Sequence, residues 1–371
     1  MIVASARLPD VPRLVARKGY FVVHAPRQTG KTTALQVLAQ ELTAGGRYAA
    51  LRFSCEVGRA ARDDYGAATR DILDQIRADA EDMLPADLRP PPWPEASEGT
   101  QLGLALRAWA HVCPRPLVLF FDEIDALGGQ TLISVLSQLR SGYGSRPANF
   151  PASVALCGLR DVRDYKAAAG GDPSRLGSSS PFNIKVKSLR LGDFTTDEVR
   201  ELYGQHTQDT GQEFTPEAVE RAFELTAGQP WLVNALGLEI VDEMAVPSHI
   251  PITVDHVEEA KERLIRARAT HLDSLAERLK EPRVRRVLEP LLAGTVTVLE
   301  PFSDDVLYVR DVGLVTQTSP IRVANPIYRE VVARVLTDGL LDYTPSAPPP
   351  RAFVPPDRAQ GPPRGRCRPG P

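Results

Sequence analysis

The chain has 371 residues, with 44 Lys plus Arg against 47 Asp plus Glu and a formal charge of −3. At 43% hydrophobic and 25% charged it has the make-up of a folded globular chain, which excludes a fibre or wholesale disorder and leaves room for two or three domains. The mildly acidic balance also argues against a protein that coats nucleic acid by bulk charge.

The amino terminus, Met1–Asp10, reaches Pro9 and Asp10 before any signal-like apolar stretch develops. No apolar run approaches the ~18 residues of a membrane helix, so a cytoplasmic chain without a membrane partner is expected. Five strand-length runs follow: Tyr20–Ala25, Tyr48–Ser54, Leu117–Phe121, Ser153–Cys157 and Ile184–Leu189. Apolar strands separated by helices predict an α/β domain with a parallel sheet covered on both faces, spanning residues 1–190. Leu35, Leu38, Ala39 and Leu42 share one helix face, as do Leu132, Val135, Leu136 and Leu139. The five prolines of Leu84–Pro94 mark a surface connector.

After Leu191 the pattern turns helical, and residues 191–280 read as a helical unit. Thr195 opens one helix. Thr215-Pro216 opens another with a cap and a proline at the first turn, running to about Thr226 before Gly228. Trp231–Met244 and Val254–Leu279 continue the pattern. Residues 281–343 mix helices (Arg283–Leu292, Asn325–Leu336) with strand-like Val296–Leu299 and Leu307–Val309, an order that suits a small winged-helix module. The four cysteines (Cys55, Cys113, Cys157, Cys367) lack C-x-x-C spacing and read as reduced thiols, and the six histidines form no H-E-x-x-H. The codons of the abundant Arg, Ala, Pro and Gly point to a GC-rich bacterial source.

The chemistry concentrates at Ala25-Pro26-Arg27-Gln28-Thr29-Gly30-Lys31-Thr32, which joins an apolar strand to an amphipathic helix. It fits the phosphate-loop pattern G-x-x-x-x-G-K-S/T with Ala in first place. Such a turn aims backbone N–H groups and the positive helix end at phosphates. Gly30 leaves room for a phosphate, Lys31 is placed to bridge the β- and γ-phosphates, and the Thr32 hydroxyl is placed to hold Mg2+. Thr33 is a secondary contact. Leu117–Glu123 is an apolar strand ending in two acids, and in a parallel sheet that end opens into the same crevice. Asp122 then suits Mg2+ and Glu123 the attacking water of ATP hydrolysis. After the fourth strand, Arg160 is the first candidate for a cation that senses the γ-phosphate, and Arg163 the second, with a solvated surface arginine the alternative. Gly228-Gln229-Pro230 either touches an adenine ring or merely joins two helices.

Together the loop, the LVLFFDEID strand end, GLRDVRDYK (158–166), SPFNIKVKSL (180–189), GQPWLVNAL (228–236) and Ala324–Glu330 resemble bacterial AAA+-related ATPases, in the AAA-like group allied to the STAND and archaeal-type ATPases. The resemblance covers about residues 7–340. It implies a P-loop sheet in order 5-1-4-3-2, a helical lid, a winged helix, Lys31, Thr32, Asp122 and Glu123 on nucleotide and Mg2+, Arg160 as sensor and Pro230 as lid contact. Relatives carry more residues ahead of the first strand and often a nuclease-like domain after the winged helix; no nuclease constellation follows residue 343 here, and no arginine finger is assigned.

The expected function is an ATP-binding, slowly ATP-hydrolysing switch that acts on a protein partner or through ATP-dependent self-association. Nucleic acid is the alternative partner, but residues 281–343 hold seven Arg against nine acids, which does not make a basic face. A truncated ATP-binding chain that does not hydrolyse is a third reading. The excess of prolines, 33 in all, is partly explained by residues 345–371, which hold ten of them with five Arg. That composition predicts a disordered tail over 344–371 and is what out-of-frame reading of GC-rich DNA yields.

Overall fold

The computed structural model describes residues 4–160, 183–267, 269–294, 300 and 303–341. Its centre is a parallel sheet of β1 (Tyr20–His24), β2 (Ala49–Ser54), β3 (Leu117–Asp122), β4 (Ser153–Gly158) and β5 (Lys185–Arg190), in the order β2-β3-β4-β1-β5. Read from the other edge this is 5-1-4-3-2, as expected. Every residue of β3 and β4 is buried, because both strands lie inside the sheet with helices on each face.

Alternation along the strands divides the core into two layers. Tyr20, Val22, Leu51, Phe53, Leu119 and Phe121 face α4 (Tyr65–Met83), α5 (Gln101–Val112) and α6 (Gly129–Gly142). Phe21, Val23, Ala50, Val118, Phe120 and Cys157 face α3 (Lys31–Ala44) and α2 (Asp10–Ala16), which follows a short turn of helix at Ala4–Arg7, numbered α1. The edge strand β5 is more exposed and carries Lys185 and Lys187, charges that discourage pairing with another chain. Lys187 is tied to Asp10 of α2.

The remaining helices are α7 (Thr196–Thr210), α8 (Pro216–Thr226), α9 (Pro230–Leu238), α10 (Val254–Arg266), α11 (Thr270–Arg278), α12 (Pro282–Ala293), α13 (Asp304–Asp311) and α14 (Pro326–Leu341). Two of their starts follow the caps seen in the sequence. Thr195 and Glu198 form a reciprocal capping box, and the Thr215 hydroxyl accepts from the Ala218 N–H. Apolar side chains from Phe194 to Val332 form one continuous cluster.

Two local expectations change. The run Val254–Leu279 is broken after Arg266, because α10 and α11 bury different sets: Val257, Ala260 and Leu264 on one, Leu272 and Leu275 on the other. Leu307–Val309 is helical rather than strand-like. Ser303 caps α13 by accepting from the Val306 N–H, and Val306 and Val309, three apart, are buried together. An isolated antiparallel bridge joins Val315 to Val323. Val296–Leu299, Arg163, Cys367 and the 344–371 tail lie outside the described residues.

Candidate nucleotide site

The phosphate loop leaves β1 at His24, and its shape is set by two left-handed residues, Gln28 (φ 58°) and Gly30 (φ 80°). Gly30 caps α3, which begins at Lys31, so the free N–H groups of the first turn open into the crevice beyond the strand ends. Thr29 is buried and its hydroxyl donates to the Pro26 carbonyl (2.9 Å), closing the loop on itself. The Lys31 ammonium donates to the carbonyls of Ala25 (2.9 Å) and Pro26 (2.7 Å). Burial pulls its pKa below the ordinary lysine value, against the opposing pull of Asp125, Asp122 and Glu123.

The acids come from the end of β3, in register with Ser54 of β2. Asp122 is fully buried; its Oδ2 accepts from Arg52 Nη2 (3.0 Å) and Nε (3.1 Å), and its Oδ1 from the Glu123 N–H (3.0 Å). Glu123 stands at φ 54°, and its Oε2 accepts from the Ser54 hydroxyl (2.7 Å). A cavity of about 420 Å³ brings Arg27, Gln28, Gly30, Lys31 and Thr32 together with Asp122 and Glu123. Glu56, Arg59, Asp125 and, after β4, Gly158 and Leu159 complete its wall. A hydroxyl at a helix start beside one buried carboxylate is the donor set Mg2+ takes when phosphates and waters supply its other ligands. Among the described residues no cluster of three metal-ligating side chains forms a stand-alone metal site.

A second cavity, about 390 Å³, lies on the other side of the loop against Thr33, Ala34 and Val37 of α3. The helical region closes it with Phe194, Pro230 and Trp231. Pro230 and Thr33 therefore sit together beside the loop but apart from the acids. Gly228 makes this junction possible: its backbone turns at φ 75°, and a Cβ there would fall 1.9 Å from the Phe194 carbonyl oxygen. Gln229 then reaches the Gln28 carbonyl (3.4 Å).

Arg160 follows β4 by two residues. It does not line the phosphate-side cavity; its guanidinium lies 3.7 Å from Asp311 of α13 and 4.3 Å from the centre of the Tyr308 ring. Beside it Gly313 (φ 80°) rests on the loop, where a Cβ would fall 2.7 Å from Pro26 Cγ. The end of β4 and the phosphate loop are thus both covered by the turn after α13.

Sequence reading missed Arg7, Arg52, Ser54 and Arg59. Arg7 donates to the Thr29 carbonyl (3.1 Å) and the Gly192 carbonyl (2.6 Å) and lies over Phe194 (4.7 Å), so the short N-terminal segment does reach the loop. Nothing local in the sequence marks it. Ser54 was legible in principle, as a polar residue ending the strand that the implied sheet order sets beside β3.

The Walker-type ATPase Paby2304 of Pyrococcus abyssi superposes with a TM-score of 0.61 at 14% identity, over 90% of this chain and 96% of that one. The chain has the P-loop NTPase fold. At lower TM-scores, the chain also matches the RuvB Holliday junction branch migration motor of Thermotoga maritima (0.46, 16% identity, 88% and 93% covered) and the Aeropyrum pernix ORC2 protein (0.47, 14% identity, 91% and 94% covered). No family profile and no curated protein sequence matches it. Among the described residues, no helix is long and apolar enough to cross a membrane.

Proposed function

We propose that this chain is an ATP-binding, Mg2+-dependent ATPase that turns over slowly and works as a switch. The observation that carries the reading is the meeting of Lys31 and Thr32 with Asp122 and Glu123 in one cavity at the strand ends. The loop N–H groups and Lys31 would take the phosphates, Lys31 exchanging the carbonyls of Ala25 and Pro26 for phosphate oxygens. Thr33 and Pro230, with Trp231 and Phe194, would flank the base and ribose. Thr32 and Asp122 are the side chains that would hold Mg2+, which would supply positive charge against the phosphates.

Glu123 would orient the attacking water and take its proton as the bridging oxygen leaves with ADP. Its Oε2 is held by the Ser54 hydroxyl, which would leave the other carboxylate oxygen to accept the water. Arg160 is assigned a different part from the one its sequence position suggests: it ties the end of β4 to α13, and loop movement on nucleotide binding would be felt there and at Gly313. The C-terminal helices, with the bridge Val315–Val323 as a small wing, would be the moving module that meets a protein partner or a second copy.

Titration of a fluorescent ATP analogue and measurement of phosphate release test this reading. Lys31→Ala is expected to lose binding by about tenfold or more, and Glu123→Gln to bind normally while hydrolysis falls about 100-fold or more. Unchanged nucleotide binding in Lys31→Ala would sink the proposal.

A further inference from the structure

Three cations line the phosphate-side cavity among the described residues: Arg27, Lys31 and Arg59. Lys31 and Arg27 both belong to the phosphate loop, and Arg27 also borders a separate cavity of about 630 Å³ beneath the C-terminal helices. Arg160 is held by Asp311 and Tyr308. Arg59 differs from all of these in its direction of approach. It ends the 3-10 turn Glu56–Arg59 that follows β2, and the strand order puts β2 and β1 on opposite sides of β3. Arg59 and the phosphate loop therefore face one another across Asp122 and Glu123.

We propose that Arg59 is a further catalytic residue, a cation from within the same chain that meets the terminal phosphate oxygens as the β–γ bond opens. The inference rests on the ATPase reading above and adds to it the residue that answers transition-state charge. The backbone of the turn is fixed to β3 where the Cys55 N–H donates to the Asp122 carbonyl (2.8 Å), and it is closed on the end of β2 where the Glu56 N–H donates to the Ser54 hydroxyl (3.1 Å). Gly58 lies under Leu127, where a Cβ would fall 2.8 Å from its Cδ2, so the turn packs against the one that follows Glu123. The side chain, by contrast, is loosely held. It is 54% exposed and pairs with Glu56 three residues earlier (2.8 Å), an exposed pair of the kind that contributes little. A charge-assisted bond to a phosphate is stronger than that pair, so the guanidinium can leave Glu56 when a triphosphate is present.

The step balances without further reactants. The water oxygen bonds to the γ-phosphorus, the bond from phosphorus to the bridging oxygen breaks with its electrons passing to ADP, and the water proton goes to Glu123 and on to the departing phosphate. Arg59 donates hydrogen bonds and transfers no proton. Because the cation comes from the same chain, hydrolysis would not need a second copy to complete the site.

Single-site variants in the full chain test this, read by phosphate release, by ADP affinity and by uptake of ADP with aluminium fluoride, which imitates the phosphate in transit. Arg59→Ala is expected to lower kcat by about 100-fold or more, to keep ADP affinity within about twofold, and to lose the aluminium fluoride complex. Arg59→Lys should recover only part of the rate, since an ammonium lacks the planar fork. Arg27→Ala should do less damage than Arg59→Ala, and parental activity per chain should not change with protein concentration. Parental kcat in Arg59→Ala, or activity that rises with concentration, would overturn the assignment while leaving the ATPase reading intact. If the parent chain binds ADP but neither hydrolyses ATP nor takes up aluminium fluoride, hydrolysis and the role of Arg59 fall together and nucleotide binding alone stands. If it binds no nucleotide, both readings fall.

Discussion

His271 lies on α11 with its ring against Trp231 (centroids 4.9 Å apart) and its Nε2 in a hydrogen bond with the Tyr328 hydroxyl, and burial pulls its pKa down to about 4. The unfolded chain should protonate this imidazole near the ordinary value of 6.5. Between pH ~6.5 and ~4 the unfolded state therefore binds more protons than the folded one, and stability falls as pH drops through that window. The effect is on the order of 3 kcal/mol, fully present as stability above pH ~6.5. Urea unfolding of the parent and of His271→Phe across pH 4–7.5 checks it. The difference between the two curves should be steepest between pH ~4 and ~6.5, and parallel curves would mean that the ring stays solvated. Other titratable groups change in the same range, which is why the pairwise difference is the quantity to read.

The junctions between elements depend on two glycines of nearly identical backbone and different surroundings. Gly228 (φ 75°) would put a Cβ 1.9 Å from a backbone oxygen, while Gly211 (φ 79°), after α7, has open space around it. Gly211→Ala should cost only the left-handed conformation, about 1–2 kcal/mol. Gly228→Ala must also displace Phe194 and should cost a further ~1–3 kcal/mol, measured as a larger drop in the urea midpoint. Equal losses would show that the junction yields easily. The caps at Thr195 and Thr215 explain why those helix starts were legible: a hydroxyl accepting from an N–H three residues on is a local interaction. The break between α10 and α11 was not legible because it follows from what each helix packs on. Leu307–Val309 misled for a related reason, since an apolar triplet suits a strand or a buried helix equally until its neighbours are known.

At the scale of the whole molecule, the end of β4 and the phosphate loop meet the C-terminal helices at Arg160–Asp311 and Gly313–Pro26. The ion pair is half-sheltered, with side chains 14% and 24% exposed, and should contribute about 0.5–1 kcal/mol. Gly313→Ala adds a methyl group where Pro26 stands and should push the two parts away from each other. Combining it with Asp311→Asn is expected to raise the radius of gyration in solution scattering and to make the effect of added ATP on that radius smaller. A double variant with unchanged dimensions and an unchanged ATP response would show that this contact is not the moving joint.

The sequence by itself determined the sheet, the phosphate loop and the acid pair. All three are written in short stretches where residue chemistry and local conformation coincide: a glycine at a left-handed turn, a lysine and threonine at a helix start, acids at the end of a buried strand. Only the tertiary structure decided where the cations go. Arg160 follows β4 as expected, yet a long side chain turns to the nearest acid and ring, and those come from α13, some 150 residues further along. Arg7, Arg52 and Arg59 reach the site from elements whose neighbours in space are distant in sequence, and a flexible guanidinium carries no local mark of its destination.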